Sequence, residues 1–177
     1  ETPGLVEVIS CLTKDGNEIP NDIRKGVWVT IEGDNDYIRN CFDEYKVVTD
    51  TTGRYMSLYK KWHLIGLELG ISVASVGLRA EPTGAAICFN ADVPAIAKVD
   101  LKAGSILDGE GGFTIYGGVR PASLSVALNY LPLGLAKHAK LIKPVKRDQP
   151  IEYDDVEIDT NSSAYMMRKK TIALLGS

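Results

Sequence analysis

The sequence predicts an α+β fold: part of a central α/β domain with a long buried helix, followed by a small β-rich module. Three observations predict it. Residues 26–32 (GVWVTIE) alternate apolar and other side chains with the period of a strand. Residues 61–80 form an almost wholly apolar run of helical length. From Asp92 onward, short extended segments alternate with turns rich in glycine, proline and aspartate.

The composition is that of an ordinary globular protein. The 177 residues are 45% hydrophobic and 24% charged, and the net charge is −3. The composition has no excess of basic residues, so it does not indicate a protein that binds nucleic acid. The three cysteines are widely spaced, which favours free thiols in a reducing cytoplasm. The chain opens without a signal-peptide pattern and without an initiator Met, so we expect an excised piece of a longer protein.

Local signals define the elements of the first part. Residues 5–10 alternate as a strand, and residues 14–25 hold two turn-prone clusters. The Asp-Asn pair at 34–35 offers an N-cap to a helix, because apolar side chains recur at helical spacing over 37–45. Residues 54–60 predict a further strand, which leads the chain into the apolar run.

The apolar run at 61–80 is predicted to be a helix that is buried almost completely. A membrane span is excluded, because the stretch 64–78 is shorter than the ~20 residues that a bilayer needs and contains Glu68. Three glycines permit close packing against a sheet or a partner subunit. They are Gly66, Gly70 and Gly77.

The second part contains a turn motif that occurs twice. Residues 97–107 (AKVDLKAGSIL) are echoed by residues 143–151 (KPVKRDQPI), which indicates a small β-rich module. The remaining predicted elements are strands at 93–99, 105–107 and 113–116, a short helix at 121–129, two short strands within 133–142 and a closing helix at 163–175.

These turns, with residues 150–156 (PIEYDDV) and 131–135 (LPLGL), resemble the SAF domain, a small β-clip fold. Upstream, residues 59–69 (YKKWHLIGLEL) and 79–84 (RAEPTG) resemble the linker helix of homoserine-dehydrogenase-like oxidoreductases that end in a SAF domain. Enzymes like deoxyxylulose-phosphate reductoisomerase form one branch of that family. The family has a Tyr-Arg-Pro-aromatic-His-Leu run at this point. The lysines at 60–61 depart from that pattern, so its roles carry over to His63 rather than to them.

The resemblance implies three segments: the second half of a central catalytic and oligomerisation domain at 1–91, a SAF-like module at 92–159 and a C-terminal helix at 160–177. It also implies an NAD(P) cofactor, a small-molecule substrate, a homo-oligomer and an N-terminal cofactor domain that is missing from this chain. No strand in the sequence is followed by a Gly-x-Gly-x-x-Gly loop, and the glycine run at 108–112 reads as a turn. We therefore assign no residue to the cofactor and expect no hydride transfer by this chain alone.

Four residues form the candidate catalytic set: Lys60, Lys61, His63 and Glu68. The first three lie where a strand ends and a helix begins, and free backbone N–H groups and the helix dipole favour an anion there. These three residues indicate contact with a substrate phosphate or carboxylate, or with the missing cofactor domain. The alternative interpretation is a solvated basic corner.

Glu68 also begins a polar stripe on the predicted helix, continued by Ser72, Ser75 and Arg79 at i+4, i+7 and i+11. The stripe either faces solvent or lines a polar cleft. With two histidines and three scattered cysteines, no metal-ligand spacing is present, and His138 is expected at the surface.

Three functions remain open from the sequence. The first is the C-terminal substrate and assembly portion of an NAD(P)-dependent oxidoreductase. The second is a SAF-type module that binds a sugar acid or carbohydrate, and the third is a purely structural oligomerisation unit with the glycine-bearing helix as its interface. The oxidoreductase is favoured over the module because a free-standing SAF domain needs no segment like 5–79.

Overall fold

The computed structural model describes residues 11–13, 15–22, 26–62 and 64–175. They fall into two compact units: a first unit that ends at Ala85 and a second unit that begins at Ala86. The sequence places this boundary slightly later, after residue 91. Both units mix helices with small antiparallel sheets, which confirms the α+β class. The strand predicted at 5–10 lies outside the described residues.

The first unit is a strand–helix–strand–helix arrangement. Its elements are β1 (Val27–Glu32), α1 (Asp36–Glu44), β2 (Tyr55–Lys60) and α2 (Ile65–Arg79). β1 and β2 pair antiparallel from Val27 opposite Lys60 to Glu32 opposite Tyr55. The predicted cap of α1 is present, because the Asn35 side chain accepts a hydrogen bond from the Ile38 N–H at 3.0 Å.

α2 is exposed, so the prediction of a buried helix is wrong within this unit. Leu67 is 78% exposed and Leu78 is 86% exposed, whereas Ser75 is the one buried residue of the helix. The prediction assumed that a wholly apolar helix is covered by its own domain. Among the described residues of the first unit, the buried apolar side chains are Phe42 and Met56, which are too few to cover it.

The second unit is built from short strands and turns. Its elements are β3 (Ala91–Asp92), β4 (Ala95–Ala97), β5 (Ile115–Gly117), β6 (Arg120–Pro121), α3 (Ala122–Ala127), α4 (Leu133–Ala136), β7 (Lys140–Leu141), a 3-10 turn (Tyr153–Asp155), β8 (Val156–Glu157) and α5 (Ser163–Leu175). Three two-stranded antiparallel sheets pair β3 with β6, β4 with β5 and β7 with β8. The predicted helix at 163–175 is present with the same bounds.

The strand predicted at the start of 133–142 is instead the short helix α4. Pro132 precedes it with a φ of −62°, and the Leu133 N–H donates to the Val93 carbonyl at 2.8 Å. Alternating leucines at 133 and 135 cannot distinguish a strand from a helical turn over so few residues. The tertiary hydrogen bond decides between them.

The two echoed turns pair with each other. Leu101 and Val145 exchange backbone hydrogen bonds of 2.8 and 3.0 Å, and Ile96 and Ile106 form further antiparallel bridges to Pro150 and Lys140. The repeated motif therefore forms the centre of the second unit. Its buried core is Ala95, Ala97, Leu101, Leu107, Ile115, Leu131, Ala136, Ala139, Leu141, Val145, Ile151 and Val156.

None of the helices in the described part of the chain has the length and apolar character needed to cross a bilayer.

Candidate functional site

Two of the predicted catalytic residues meet at the junction of β2 and α2. Lys60 is the last residue of β2, and Glu68 lies in the first turn of α2. The Lys60 ammonium donates a hydrogen bond to the Glu68 carboxylate, and the Leu64 N–H donates to the same oxygen at 3.4 Å. The structure therefore brings Lys60 and Glu68 together and ties the end of the strand to the start of the helix.

This ion pair changes what the N-terminus of α2 offers to a ligand. The N-cap residue, Leu64, has no capping side chain. Instead, the Glu68 carboxylate accepts a hydrogen bond from the Leu64 N–H, much as the glutamate of a capping box does from the N-cap residue. The carboxylate interacts favourably with the helix dipole and offsets the charge of Lys60. An anionic ligand at this junction has to share Lys60 with Glu68. The Lys60 side chain is 65% exposed and the Glu68 side chain is 29% exposed.

Lys61 does not join this pair. Its ammonium lies over the indole ring of Trp62, 5.5 Å from the ring centroid, and both residues are exposed. His63 lies outside the described residues, so its role stays a prediction. Of the four candidates, Lys60 and Glu68 are thus joined and Lys61 contacts a neighbouring ring.

The polar stripe of α2 is its least exposed face. Within α2, Glu68 and Ser72 are half-buried, Ser75 is buried and every other residue is exposed. The Ser75 hydroxyl accepts a hydrogen bond from Arg79 at 2.9 Å, and the Ser72 hydroxyl lies 3.5 Å from that of Thr83. A solvent-facing stripe is therefore wrong for Ser75, which is buried, whereas Arg79 at the end of the stripe is exposed.

The starts of α1, α2 and α5 do not fit the pyrophosphate of a nicotinamide dinucleotide. Such a cofactor sets its pyrophosphate on a glycine loop at an open helix N-terminus. α1 instead begins with the capping side chain of Asn35 and the carboxylate of Asp36. α2 begins beside the Glu68 carboxylate, and α5 follows a loop at 159–162 that contains no glycine. Carboxylates at the starts of α1 and α2 repel a pyrophosphate, so no reaction step is assigned to the cofactor here.

The glycine run at 108–112 is organised around a carboxylate. Asp108 accepts hydrogen bonds from the N–H groups of Phe113 and Thr114 and from the Thr114 hydroxyl. The Thr114 hydroxyl, and then the Phe113 N–H, hold the pKa of Asp108 below its ordinary value. Gly109 and Gly111 have positive φ angles. The run is therefore a turn that folds back on Asp108, because the N–H groups that follow it already serve this carboxylate.

Within the described ranges, no group of three or more histidine, cysteine, aspartate or glutamate side chains could hold a metal ion. Cys11, Cys41 and Cys88 carry free thiols.

The second unit contains a buried ion pair that the sequence does not predict. Arg168 on α5 donates to one oxygen of Asp92 at 3.0 Å and also to the other, and the two side chains are 12% and 7% exposed. Ser125 donates to the same carboxylate, and the guanidinium lies 4.7 Å from the ring centroid of Phe89. No sequence signal could pair them, since Asp92 and Arg168 are 76 positions apart.

Tyr153 lies beside this pair. Its hydroxyl and the Nε of Arg168 are buried without a hydrogen-bond partner among the described residues. Burial raises the pKa of Tyr153, and the positive charge of Arg168 opposes that rise. The Tyr153 ring meets Tyr165 of α5 edge to face, with 6.0 Å between centroids. This cluster anchors α5 on the second unit, because its contacts join α5 to the segments around Asp92 and Tyr153.

One family model matches the first part of the chain. The family model described as "Oxidoreductase DRL, catalytic domain" matches residues 1–69. This segment contains Lys60 and Glu68, ends within α2 and covers less than half of the chain. The match supports an oxidoreductase catalytic domain here, so the prediction of an oxidoreductase is confirmed at that level. The homoserine-dehydrogenase-like and SAF assignments stay predictions. No curated protein matches the chain.

Proposed function

We propose that the chain is the C-terminal substrate and assembly portion of an NAD(P)-dependent oxidoreductase of the homoserine-dehydrogenase-like kind. The match of residues 1–69 to an oxidoreductase catalytic domain is the observation that carries this proposal. The nicotinamide cofactor binds outside the described residues, in a domain that this chain lacks. The carboxylates at the starts of α1 and α2 support that placement.

Within this proposal, Lys60 is the substrate contact. Lys60 is the last residue of β2 and its side chain is 65% exposed, so its ammonium can donate to a phosphate or carboxylate oxygen. Glu68 is a positioning residue that holds this ammonium in place. His63, between them in the sequence, exchanges a proton with the substrate, because an imidazole does so near neutral pH. Lys61 adds positive potential at the same corner.

Steady-state kinetics of the intact gene product tests the proposal. Both nicotinamide cofactors are offered with homoserine, a sugar phosphate and a small aldehyde, the substrate classes that the sequence leaves open. Lys60→Met raises KM by about tenfold or more, because a charge-assisted hydrogen bond to the substrate is lost. His63→Ala lowers kcat, since a proton-exchanging group typically contributes ~10²–10⁴-fold.

Lys46→Met is the matched control. Lys46 forms an exposed ion pair with Asp43 at 3.0 Å, so the substitution removes a comparable pair away from the junction and leaves both constants unchanged. A folded gene product without nicotinamide-dependent turnover on any of the three classes contradicts the oxidoreductase proposal. Turnover that is unaffected by Lys60→Met and His63→Ala keeps the oxidoreductase and removes these residues from its site.

We also propose that α2 packs against a second copy of the chain. α2 exposes apolar side chains such as Leu67 and Leu78, and large exposed apolar patches mark interaction sites. A Cβ added at Gly66, Gly70 or Gly77 would meet nothing within 4 Å, so a neighbouring helix can approach closely. Sedimentation velocity tests this: the wild type is a dimer or larger, and Leu78→Lys dissociates it. Tyr37→Lys, on α1 and 77% exposed, is the control that leaves association intact. A monomeric wild type refutes the proposal.

The second unit is proposed to be a SAF-like β-clip module, and the pairing of its two echoed turns supports this. An experimental structure of the intact gene product tests the assignment. A cytoplasmic location is proposed on the free thiols of Cys11, Cys41 and Cys88. Cell fractionation that finds the protein outside the cytoplasm contradicts it.

A further inference from the structure

The second unit contains an open cavity of about 540 Å³ between the loop after α4 and the start of α5. Leu135, Ile158 and Tyr165 give it apolar and aromatic walls, and its polar lining includes Lys137 and His138. This volume lies within the roughly 300–1,000 Å³ typical of small-molecule sites, which combine apolar walls with a few polar groups. All residues that line the cavity belong to the second unit, and none of them belongs to the proposed catalytic set.

The cavity lining carries two lysines and two carboxylates, Lys137, Lys140, Glu157 and Asp159. Lys140 lies 4.0 Å from Glu157, and the Asp159 carboxylate is held by a hydrogen bond of 2.9 Å from the Asn161 N–H. By contrast, the side chains of Lys137 and His138 take part in none of the hydrogen bonds or ion pairs found among the described residues. The two adjacent groups without a partner are therefore a cation and an imidazole.

The backbone around these two residues is fixed by specific contacts. A Cβ added to Gly109 would lie 3.0 Å from the Cβ of Lys137, so the glycine turn packs directly on the stem of this lysine. His138 adopts a φ of +68°, in the left-handed region that non-glycine residues seldom occupy, and its N–H donates to the Leu107 carbonyl at 2.9 Å. The glycine turn and this hydrogen bond therefore hold the backbone at both residues.

We propose that this cavity binds a small organic anion. The carboxylate or phosphate group of the anion is held by Lys137 and His138, and its body lies against Tyr165 and Leu135. The glycine turn at 108–112 thereby acquires a role, because it supports Lys137 from behind. The site is independent of the proposed oxidoreductase function and requires no cofactor.

Isothermal titration calorimetry of the intact gene product tests the site, with inorganic phosphate and malate as probes at constant ionic strength set by chloride. Lys137→Met keeps the stem that packs on Gly109 and removes the charge. His138→Asn removes the imidazole and keeps a residue type that tolerates positive φ. Each substitution weakens binding of the recognised probe by about tenfold, as expected for loss of a charge-assisted hydrogen bond. Lys102→Met, at an exposed turn lysine outside the cavity, is the matched charge control and leaves binding unchanged.

The two probes distinguish the sources of the anion: binding of phosphate alone or of malate alone supports the site and identifies its group. The proposal is overturned if neither probe binds the folded wild type at millimolar concentration. It is also overturned if Lys102→Met weakens binding as much as Lys137→Met does, because the anion is then attracted only by the general charge of the protein. Both readouts are independent of turnover, so a failure here leaves the proposed function untouched.

Discussion

Replacing Asp92 by Asn tests how the second unit holds its C-terminal helix. The substitution keeps the shape of the side chain but leaves the Arg168 guanidinium, 12% exposed, without a counter-charge. Removing one partner of a buried ion pair costs about 3–5 kcal/mol. An Asn carbonyl and the ring of Phe89 still contact the guanidinium, so we expect a loss near the lower end, about 3 kcal/mol. Denaturant unfolding followed by far-UV circular dichroism measures it.

The exposed pair of Lys140 and Glu157 is the control. Lys140→Met breaks a 4.0 Å contact between side chains that are 53% and 70% exposed, which is worth about 0–1 kcal/mol. In a double-mutant cycle, Asp92→Asn combined with Arg168→Met costs less than the two single losses added together, because the second change removes the stranded charge. A loss for Asp92→Asn no larger than that for Lys140→Met would refute the reasoning.

Three further predictions follow from the same structure. Gly109→Ala lowers the free energy of unfolding by about 1 kcal/mol more than Gly104→Ala does. Both glycines have positive φ, but only at position 109 does the new Cβ meet Lys137. Equal losses of unfolding free energy in denaturant titrations would contradict this. Asp108→Asn makes the melting temperature depend less on pH in acid. Folding lowers the pKa of Asp108, so the stabilisation by its carboxylate is complete above the ordinary pKa of 3.8 and is lost as pH falls through the folded value. The same acid profile of melting temperature in both proteins would count against this prediction. Tyr153→Phe changes stability at neutral pH by less than about 0.5 kcal/mol, since the hydroxyl has no hydrogen-bond partner among the described residues. The raised pKa of Tyr153 gives stability that is present below the ordinary 10.0 and lost as pH rises through the folded value, so thermal melts should show less alkaline loss in the variant.

Local chemistry predicted the elements of the first unit well. The alternation over 26–32 corresponds to β1, and the predicted cap at Asn35 is present at the start of α1. Such signals depend on neighbours within a few positions, which a sequence displays directly. The bounds of α5 follow for the same reason, because capping groups and helical spacing lie close together.

Burial and long-range pairing were harder to predict. An apolar helix predicts that something covers it, whereas the apolar side chains of α2 are exposed. The sequence separately marked Lys60 and Glu68 as candidates, and their ion pair depends on the turn between β2 and α2. The pairing of Asp92 with Arg168 depends on the docking of α5, which no local pattern encodes.

The pairing of the echoed turns also bears on how fast the second unit folds. Its central bridges join Ile96 to Pro150, Leu101 to Val145 and Ile106 to Lys140, so each closes a loop of several tens of residues. The entropy of closing such loops is lost before the contacts that compensate for it can form, and folding rates fall as contacts become less local. The second unit is therefore expected to acquire its core late, only after the two copies of the motif have found each other.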